Sequence, residues 1–178
     1  MHSPSIIFTL PGLNNSGPEH WQTHWEKRYG FTRIEQKDWD RPLCADWIRT
    51  IDETIQKYPM QQVLLVAHSL ACSTVVHWAA KYGRAIRGAL LVGPSDTEAP
   101  SYPPGTTGFK PMPLSRLSFP SIIIASTDDV FVSMQRAKQF ATAWGSELVN
   151  AGALGHINSA SNLGDWDFGY QVLLRFMN

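Results

Sequence analysis

Three residue types that act together in acyl transfer, a serine, an acid and a histidine, occur in this chain in that order as Ser69, Asp128 or Asp129, and His156. A serine hydroxyl is a weak nucleophile until a neighbouring base accepts its proton and a third group orients that base. Histidine commonly serves as the base, and a carboxylate as the orienting group. The three side chains can do this chemistry only if the fold brings them to one place.

Ser69 lies between a short apolar run and a helical pattern. The run 63–67 is typical of a buried strand, and from Leu70 onward the apolar positions recur with helical spacing. The small residues Ala67 and Ala71 stand two positions before and after the serine. This pattern of strand, sharp turn and helix predicts a nucleophile elbow, a turn that exposes the hydroxyl and points a helix N-terminus at it.

The acid and the histidine follow later strand patterns. Asp128 and Asp129 come directly after an apolar run, and His156 follows a last short strand pattern at 147–150. The carboxyl ends of parallel strands lie at one edge of a sheet, where ligands bind. The order serine, acid, histidine is the one expected for the α/β-hydrolase arrangement. Each acid could instead cap the helix that begins near Ser133, and the histidine could be an ordinary loop residue.

The rest of the chain alternates between strand and helix patterns. Strands are expected at 5–10, 32–37, 63–67, 86–92, 121–126 and 147–150, and helices at 18–29, 42–58, 70–82, 133–144 and from about 165. This alternation predicts an α/β fold, a parallel sheet with helices on both faces. The whole chain, 1–178, is expected to form one domain, because its length and 43% hydrophobic content suit a single domain with a substantial core.

The segment 93–120 fits neither periodicity. It is rich in proline and has few apolar residues. A loop of this length in a compact domain often carries function, so the segment is a candidate cover for the active site. The alternative is a long surface excursion with no part in binding.

Charge and hydropathy exclude several classes of partner. The formal net charge is +0 and no cluster of Lys or Arg is present, so neither nucleic acid nor an anionic membrane is an expected partner. No apolar stretch approaches the roughly 20 residues of a membrane span, and the apolar run 6–10 is too short for an export signal. Cys44 and Cys72 are expected to be reduced thiols. A cytoplasmic location is therefore predicted.

Other residues with chemical potential are given lesser roles. His20 and His24 are four positions apart in a predicted helix, but two ligands do not make a metal site, so no metal and no cofactor are expected. His68 is not expected to act as the base, because its side chain should lie on the opposite side of the turn and pack or bond locally. Trp166 follows His156 closely and is the one tryptophan expected to contact substrate.

Seven short motifs are spread over nearly the whole chain: Leu10-Pro11-Gly12, Ser16-Gly17, His20-Trp21-Gln22, His68-Ser69-Leu70, Ser126-Thr127-Asp128-Asp129, Gly155-His156-Ile157-Asn158 and Gly164-Asp165-Trp166. Together they resemble the small serine hydrolases of the retinoblastoma-binding protein 9 and YdeN type, a minimal branch of the α/β-hydrolases. The resemblance implies about six mostly parallel strands in the order 2-1-3-4-5-6, with helices on both faces and no large lid domain.

The same resemblance assigns the site residues. It implies that Ser69 is the nucleophile and His156 the base. It favours Asp129 over Asp128 as the acid, because the family acid lies three residues after a small residue at the strand end, here Ser126.

The implied oxyanion hole consists of two backbone N–H groups, those of Leu13 and Leu70. The implied activity is hydrolysis of a small ester, thioester or amide through an acyl-enzyme, most closely that of a carboxylesterase (EC 3.1), with peptidase activity left open. The expected partner is a small-molecule acyl substrate, and a protein partner is unknown.

Two departures from the family pattern bear on function. Ala67 and Ala71 stand where the elbow usually has glycines, and each adds one methyl group at a site that needs a small side chain. The retinoblastoma-binding segment of the animal protein reads Leu-x-Cys-x-Glu, whereas this chain has Leu70-x-Cys72-x-Thr74 and lacks the acid, so that partner is not expected. The alternative function is a catalytically weak hydrolase fold that serves as a protein-binding module, which only the alanines support.

Overall fold

The computed structural model describes residues 4–177 of the 178-residue chain. The strands are β1 (Ile6–Leu10), β2 (Thr32–Arg33), β3 (Val63–His68), β4 (Gly88–Val92), β5 (Ser121–Ala125) and β6 (Glu147–Asn150). They form one parallel sheet in the order β2-β1-β3-β4-β5-β6. The predicted α/β fold class and strand order are confirmed.

Five helices pack against the two faces of this sheet: α1 (Trp21–Tyr29), α2 (Cys44–Ile55), α3 (Leu70–Tyr82), α4 (Met134–Trp144) and α5 (Asp167–Leu174). Alternate residues of the central strand β3 enter two separate cores. Leu65 and Ala67 lie in the first core, which α2, α3 and α4 cover. Leu64 and Val66 lie in the second core, which α1 and α5 cover. Burial of both faces explains why β3 is apolar almost throughout.

The strand register aligns the carboxyl ends at one edge of the sheet. Leu10 pairs with Ala67, His68 pairs with Val92, and Ala125 pairs with Asn150. The loops that follow β1, β3, β4, β5 and β6 therefore leave the sheet side by side. Residues far apart in sequence can meet there.

Several helices begin later than predicted, and the first and the last show the cause most clearly. The first begins at Trp21 rather than at position 18, because His20 is its N-cap and accepts a hydrogen bond at Nδ1 from the Gln22 N–H, 3.2 Å away. The last begins at Asp167 because Trp166 has a left-handed backbone, with φ +40°. Such a conformation cannot continue a right-handed helix.

One strand and one helix are also shorter than predicted. β2 has only two residues in place of the predicted 32–37, because it is an edge strand that pairs with β1 alone, opposite Phe8 and Thr9. α2 occupies the middle of the predicted range 42–58. Its N-cap, Leu43, is extended and forms an isolated β-bridge with Thr107, so helical backbone starts one residue later.

The proline-rich segment 93–120 contains no helix or strand of its own, and every residue in it is described. It is nevertheless packed onto the first core. Phe109, Met112, Leu117 and Phe119 are buried there, and the Thr97 hydroxyl donates to the Phe109 carbonyl oxygen, 2.7 Å away. Part of the segment is thus packed into the fold.

Within residues 4–177, no helix is both long enough and apolar enough to cross a bilayer. Cys44 and Cys72 are buried and are not joined to each other, in agreement with the prediction of two reduced thiols.

Candidate active site

Ser69 occupies the sharp turn between β3 and α3. Its backbone has φ +58° and ψ −122°, a conformation that residues other than glycine rarely adopt. Its N–H donates to the Val92 carbonyl oxygen, 2.9 Å away, and its own carbonyl accepts from the Cys72 N–H, 3.0 Å away. These bonds fix the turn on both sides, so the Ser69 side chain stands at the carboxyl edge of the sheet, in front of a helix N-terminus.

The turn forms with alanine at both positions where glycine is usual. Ala67 and Ala71 are fully buried in the first core, and the left-handed backbone of Ser69 is present between them. The close approach to the turn is made by Gly12 instead. A Cβ atom on Gly12 would lie 2.8 Å from Ser69 Cβ and 2.9 Å from the His68 carbonyl oxygen, which a real side chain could not do without displacing the turn.

The structure brings Ser69, Asp129 and His156 together. His156 Nε2 lies 2.8 Å from Ser69 Oγ. On the other side of the same ring, His156 Nδ1 lies 2.8 and 2.9 Å from the two Asp129 carboxylate oxygens. The three side chains come from the loops after β3, β5 and β6, as the strand-end argument predicts.

The hydrogen-bond pattern fixes the protonation of the neutral imidazole. A carboxylate can only accept, so Nδ1 donates its proton to Asp129. Nε2 is then the acceptor and the Ser69 hydroxyl is the donor. The Asp129 side chain is completely buried and also accepts from the Phe131 N–H, 2.8 Å away. The carboxylate is therefore held in place by a contact that does not involve the histidine.

Asp128 points elsewhere. Its Oδ1 accepts from the Ser126 hydroxyl and from the Gly155 N–H, each 2.7 Å away. These two bonds lower the pKa of the Asp128 carboxyl below its usual range, and the bond from the Ser126 hydroxyl has the larger effect. Asp128 thus ties the β5 loop to the loop that carries His156, and the geometry favours Asp129 as the acid.

The two backbone N–H groups predicted as an oxyanion hole are both without an acceptor among the described residues. The Leu70 N–H belongs to the first residue of α3, where a helix leaves its N–H groups unpaired. The Leu13 N–H follows the Gly12 turn that packs on Ser69. Their pairing as an oxyanion hole stays a prediction.

A cavity of about 480 Å³ opens at this edge of the sheet. Its walls include Ser69 and His156 together with aromatic, amide and hydroxyl side chains from several loops. The other lining residues are Leu13, Asn14, Asn15, His20, His68, Ser95, Tyr102, Pro103, Phe131, Asn158, Ser159 and Ala160. None of these lining side chains is an acid, a lysine or an arginine.

The sequence suggested that His68 packs on the far side of the turn, and the structure shows that it does not. Its Nε2–H donates to the backbone carbonyl oxygen of His156, 2.9 Å away, and the two rings are 4.9 Å apart. The prediction of a purely local role was wrong, because the turn directs His68 toward the loop after β6. No sequence pattern signals this contact, which joins residues 88 positions apart.

A second buried histidine, His20, packs against His68. The His20 ring lies 4.7 Å from the His68 ring, edge to face. Burial, followed by the positive charge of Arg33, lowers the pKa of His20 to about 3, and burial also holds the pKa of His68 well below its ordinary value. Both rings are therefore neutral near pH 7, and neither places a second positive charge next to His156 when it accepts a proton.

Trp166 does not contact the cavity, so its predicted role was wrong. Its left-handed backbone places the ring in the second core, where it lies 5.0 Å from the Trp21 ring and 6.1 Å from the Trp25 ring. Within residues 4–177, no group of three or more His, Cys, Asp or Glu side chains could hold a metal ion. His24 faces Asp165 instead of sharing a site with His20.

Ser95 is a site residue that sequence reasoning missed. It lies in the loop after β4, is 1% exposed, and places its Oγ 2.8 Å from Ser69 Oγ. The surrounding proline-rich segment has no periodicity from which the contact could be predicted.

Comparison with known proteins adds family information to this geometry. The sequence model of a family described as serine hydrolase matches residues 7–175. No curated protein matches the chain in sequence.

Solved structures share the fold. A protein of Pectobacterium atrosepticum described as a YdeN-like hydrolase is 32% identical, with a TM-score of 0.84 over 97% of this chain and 90% of that one. The ydeN gene product of Bacillus subtilis is 19% identical, with a TM-score of 0.81 over 98% and 99% of the two chains. The carboxylesterase CesB of Bacillus subtilis is 14% identical, with a TM-score of 0.68 over 98% and 84%.

Proposed function

Because this chain belongs to the serine hydrolase family and is a small YdeN-like member of it, we propose that it hydrolyses a small ester, thioester or amide through an acyl-enzyme at Ser69. The observation that carries the proposal is the unbroken series of hydrogen bonds from Asp129 through His156 to Ser69. Each of these bonds has the length and the donor direction that nucleophilic catalysis by serine needs.

In the first half-reaction, Ser69 Oγ attacks the carbonyl carbon of the substrate while its proton passes to His156 Nε2. Asp129 holds the imidazole in the required tautomer and stabilises the imidazolium that forms. The tetrahedral intermediate then collapses, the bond to the leaving group breaks, and the leaving group takes the proton from Nε2. The product is an acyl ester on Ser69.

The negative charge that develops on the carbonyl oxygen needs donors. We assign this role to the N–H groups of Leu13 and Leu70, which have no acceptor among the described residues. Leu13 follows Gly12, and a Cβ on Gly12 would lie 3.2 Å from the Leu70 nitrogen. One such donor is worth on the order of 10²–10³ in rate. The N-terminus of α3 adds a favourable dipole at the same place.

In the second half-reaction, a water molecule gives a proton to His156 Nε2 and attacks the acyl carbon. Collapse of the second tetrahedral intermediate breaks the bond between the carbon and Ser69 Oγ, and Oγ recovers a proton from Nε2. The acid product leaves and the enzyme returns to its starting state.

The cavity supports a small, uncharged acyl group as substrate. Its volume of about 480 Å³ and its lining of neutral side chains suit a short acyl ester better than a long chain or an acid. A carboxylesterase-like activity on short esters is therefore the proposed reaction, with peptidase activity the less favoured form. The segment 93–120 contributes Ser95, Tyr102 and Pro103 to the wall, in keeping with its proposed role as a cover.

Two further proposals concern the whole chain. One sheet with a core on each face supports a single domain over 1–178. Two unpaired buried cysteines support a cytoplasmic location.

The test is covalent labelling and turnover. Wild-type protein should react with a fluorophosphonate and hydrolyse p-nitrophenyl acetate faster than p-nitrophenyl esters of long acids, and Ser69→Ala should do neither. The matched control is Ser73→Ala, because Ser73 is also buried, lies in α3 outside the site, and has a hydroxyl with no hydrogen-bond partner among the described residues. Labelling that persists in Ser69→Ala would overturn the assignment of the nucleophile.

The alternative function, a weakly catalytic protein-binding module, has less support from the structure than hydrolysis. It depended on Ala67 and Ala71, and the turn at Ser69 forms with both alanines in place.

A further inference from the structure

The Ser69 hydroxyl oxygen has two hydrogen-bond partners. One is His156 Nε2 and the other is the hydroxyl oxygen of Ser95, each 2.8 Å away. Ser95 is buried, and within the described part of the chain its hydroxyl contacts no other polar group. Among the described residues, Ser69 is therefore the one hydrogen-bond partner of the Ser95 hydroxyl.

The direction of the bond between the two hydroxyls follows from the rest of the chain of hydrogen bonds. His156 Nδ1 donates to Asp129, so Nε2 accepts the Ser69 proton. Ser69 has only one proton to donate, and it is already used. The Ser95 hydroxyl must then be the donor and a Ser69 lone pair the acceptor.

The position of Ser95 is fixed by its neighbour in sequence. The Asp96 N–H donates to the Phe131 carbonyl oxygen, 2.9 Å away, and its carboxylate pairs with Arg136, whose Nε lies 3.2 Å from Oδ2. The Phe131 ring in turn packs on His156, with 4.5 Å between centroids. The Ser95 hydroxyl is thus preorganised and does not have to move into place during the reaction.

We propose that Ser95 is a further catalytic residue, which donates its hydroxyl proton in a hydrogen bond to Ser69 Oγ while that oxygen carries charge. The inference rests on the proposed function, since it needs Ser69 to act as the nucleophile. It adds to the serine, histidine and acid a fourth side chain that touches a reacting atom.

In the proposed mechanism, negative charge develops on Ser69 Oγ in two steps. The first is acylation, when the proton leaves for His156 and the new bond to carbon is incomplete. The second is deacylation, when the bond from carbon to Oγ breaks before the proton returns from Nε2. In the acyl-enzyme between them, Oγ is an ester oxygen and a poor acceptor. A donor to Oγ is therefore strongest at the two transition states, which is the condition for a gain in rate.

The experiment compares Ser95→Ala and Ser95→Cys with wild type and with Ser73→Ala. Alanine removes the donor, and cysteine is close to serine in size but has only a weak S–H donor. Stopped-flow hydrolysis of p-nitrophenyl acetate gives separate rate constants for acylation, from the burst, and for deacylation, from the steady state. Both constants should fall about 10- to 100-fold in the two Ser95 variants, the range for a hydrogen bond to a charged group.

Ser73→Ala should keep both constants, because its hydroxyl has no partner to lose. If Ser95→Ala fails to fold, Ser95→Cys decides the question, since it fills the same space. Ser95 variants within about twofold of wild type, in a protein that labels with fluorophosphonate, would overturn this inference and leave the proposed function standing. A wild-type protein that neither labels nor hydrolyses esters would overturn both.

Discussion

His68 Nε2 donates to the backbone carbonyl oxygen of His156, 2.9 Å away. The residue directly before the candidate nucleophile thus holds the main chain of the candidate base. The turn after β3 and the loop after β6 are joined by this bond as well as by the contact between Ser69 and His156. Any displacement of one segment is passed to the other through two separate hydrogen bonds.

Replacement of His68 by Phe keeps an aromatic ring of similar size and removes the donor. We expect kcat/KM to fall about tenfold, because the His156 carbonyl loses its partner and the loop loses a tether. The free energy of unfolding should fall by about 1–3 kcal/mol, the cost of an unpaired, partly buried carbonyl. Steady-state kinetics and urea unfolding measure the two effects. His77→Phe, on α3 against Phe109, is the control and should leave kcat/KM unchanged; equal losses in both variants would contradict the tether.

The neighbouring acids provide a matched pair of substitutions. Asp129→Asn should lower kcat by on the order of 10⁴, because an amide permits the imidazole tautomer that cannot accept the Ser69 proton. Asp128→Asn should have a far smaller effect, since the amide oxygen can still accept from Ser126 and Gly155. The measurement is kcat on one ester substrate for both variants. A larger loss in the Asp128 variant would reverse the assignment of the acid.

Gly12 and Gly17 test the contact between the first loop and the turn. A Cβ on Gly12 would meet Ser69 Cβ at 2.8 Å, so Gly12→Ala should displace the Leu13 N–H or the turn and lower kcat. Nothing lies within 4 Å of a Cβ on Gly17, in the same loop, so Gly17→Ala should leave activity intact. Kinetics of the two variants side by side provide the test. Full activity in Gly12→Ala would show that the loop can move away without cost to the site.

Stability should fall as the pH is lowered from 7 to 5. The pKa of His20 is about 3 in the folded protein, against an ordinary value of 6.5 when unfolded, so the unfolded chain binds the proton more tightly. The stabilisation is therefore complete above pH 6.5 and is lost progressively as the pH falls toward 3. For this one histidine, linkage gives a loss of about 2 kcal/mol between pH 7 and pH 5.

The variant that isolates this effect is His20→Asn. An asparagine oxygen can cap α1 as His20 Nδ1 does, but the amide does not titrate. Urea unfolding at pH 7 and at pH 5 should show a smaller pH dependence in the variant, by about the same 2 kcal/mol. An unchanged pH dependence would mean that His68 or another group causes the acid sensitivity.

The fold and the positions of the three candidate catalytic residues could be predicted from the sequence, because they depend on local patterns. β3 is apolar because both of its faces are buried, so periodicity detects it. Strand ends in a parallel sheet share an edge, so an acid after β5 and a histidine after β6 could be placed near Ser69. The choice between Asp128 and Asp129 needed the family spacing, because adjacent residues in a loop differ only in where their side chains point.

The remaining site features could not be predicted, for physical reasons. Ser95 follows no periodic pattern, and its contact with Ser69 depends on how the proline-rich segment leaves β4. The bond from His68 to His156 joins a strand end to a loop carbonyl, and backbone acceptors carry no sequence signal. Trp166 was expected at the site because it follows His156 closely along the chain, yet its left-handed backbone places the ring in the core.

The long sequence separations within the site have a consequence for folding. Ser69 and His156 are 87 positions apart, and Asp129 and His156 are 27 apart, so no short fragment of the chain carries all three side chains. If Ser69 is the nucleophile, we expect it to react only after β3, β5 and β6 have assembled and placed the three side chains together. Covalent labelling would then report on folding. During refolding, incorporation of a fluorophosphonate should follow the appearance of native molecules. In urea, the loss of labelling should follow the global unfolding transition.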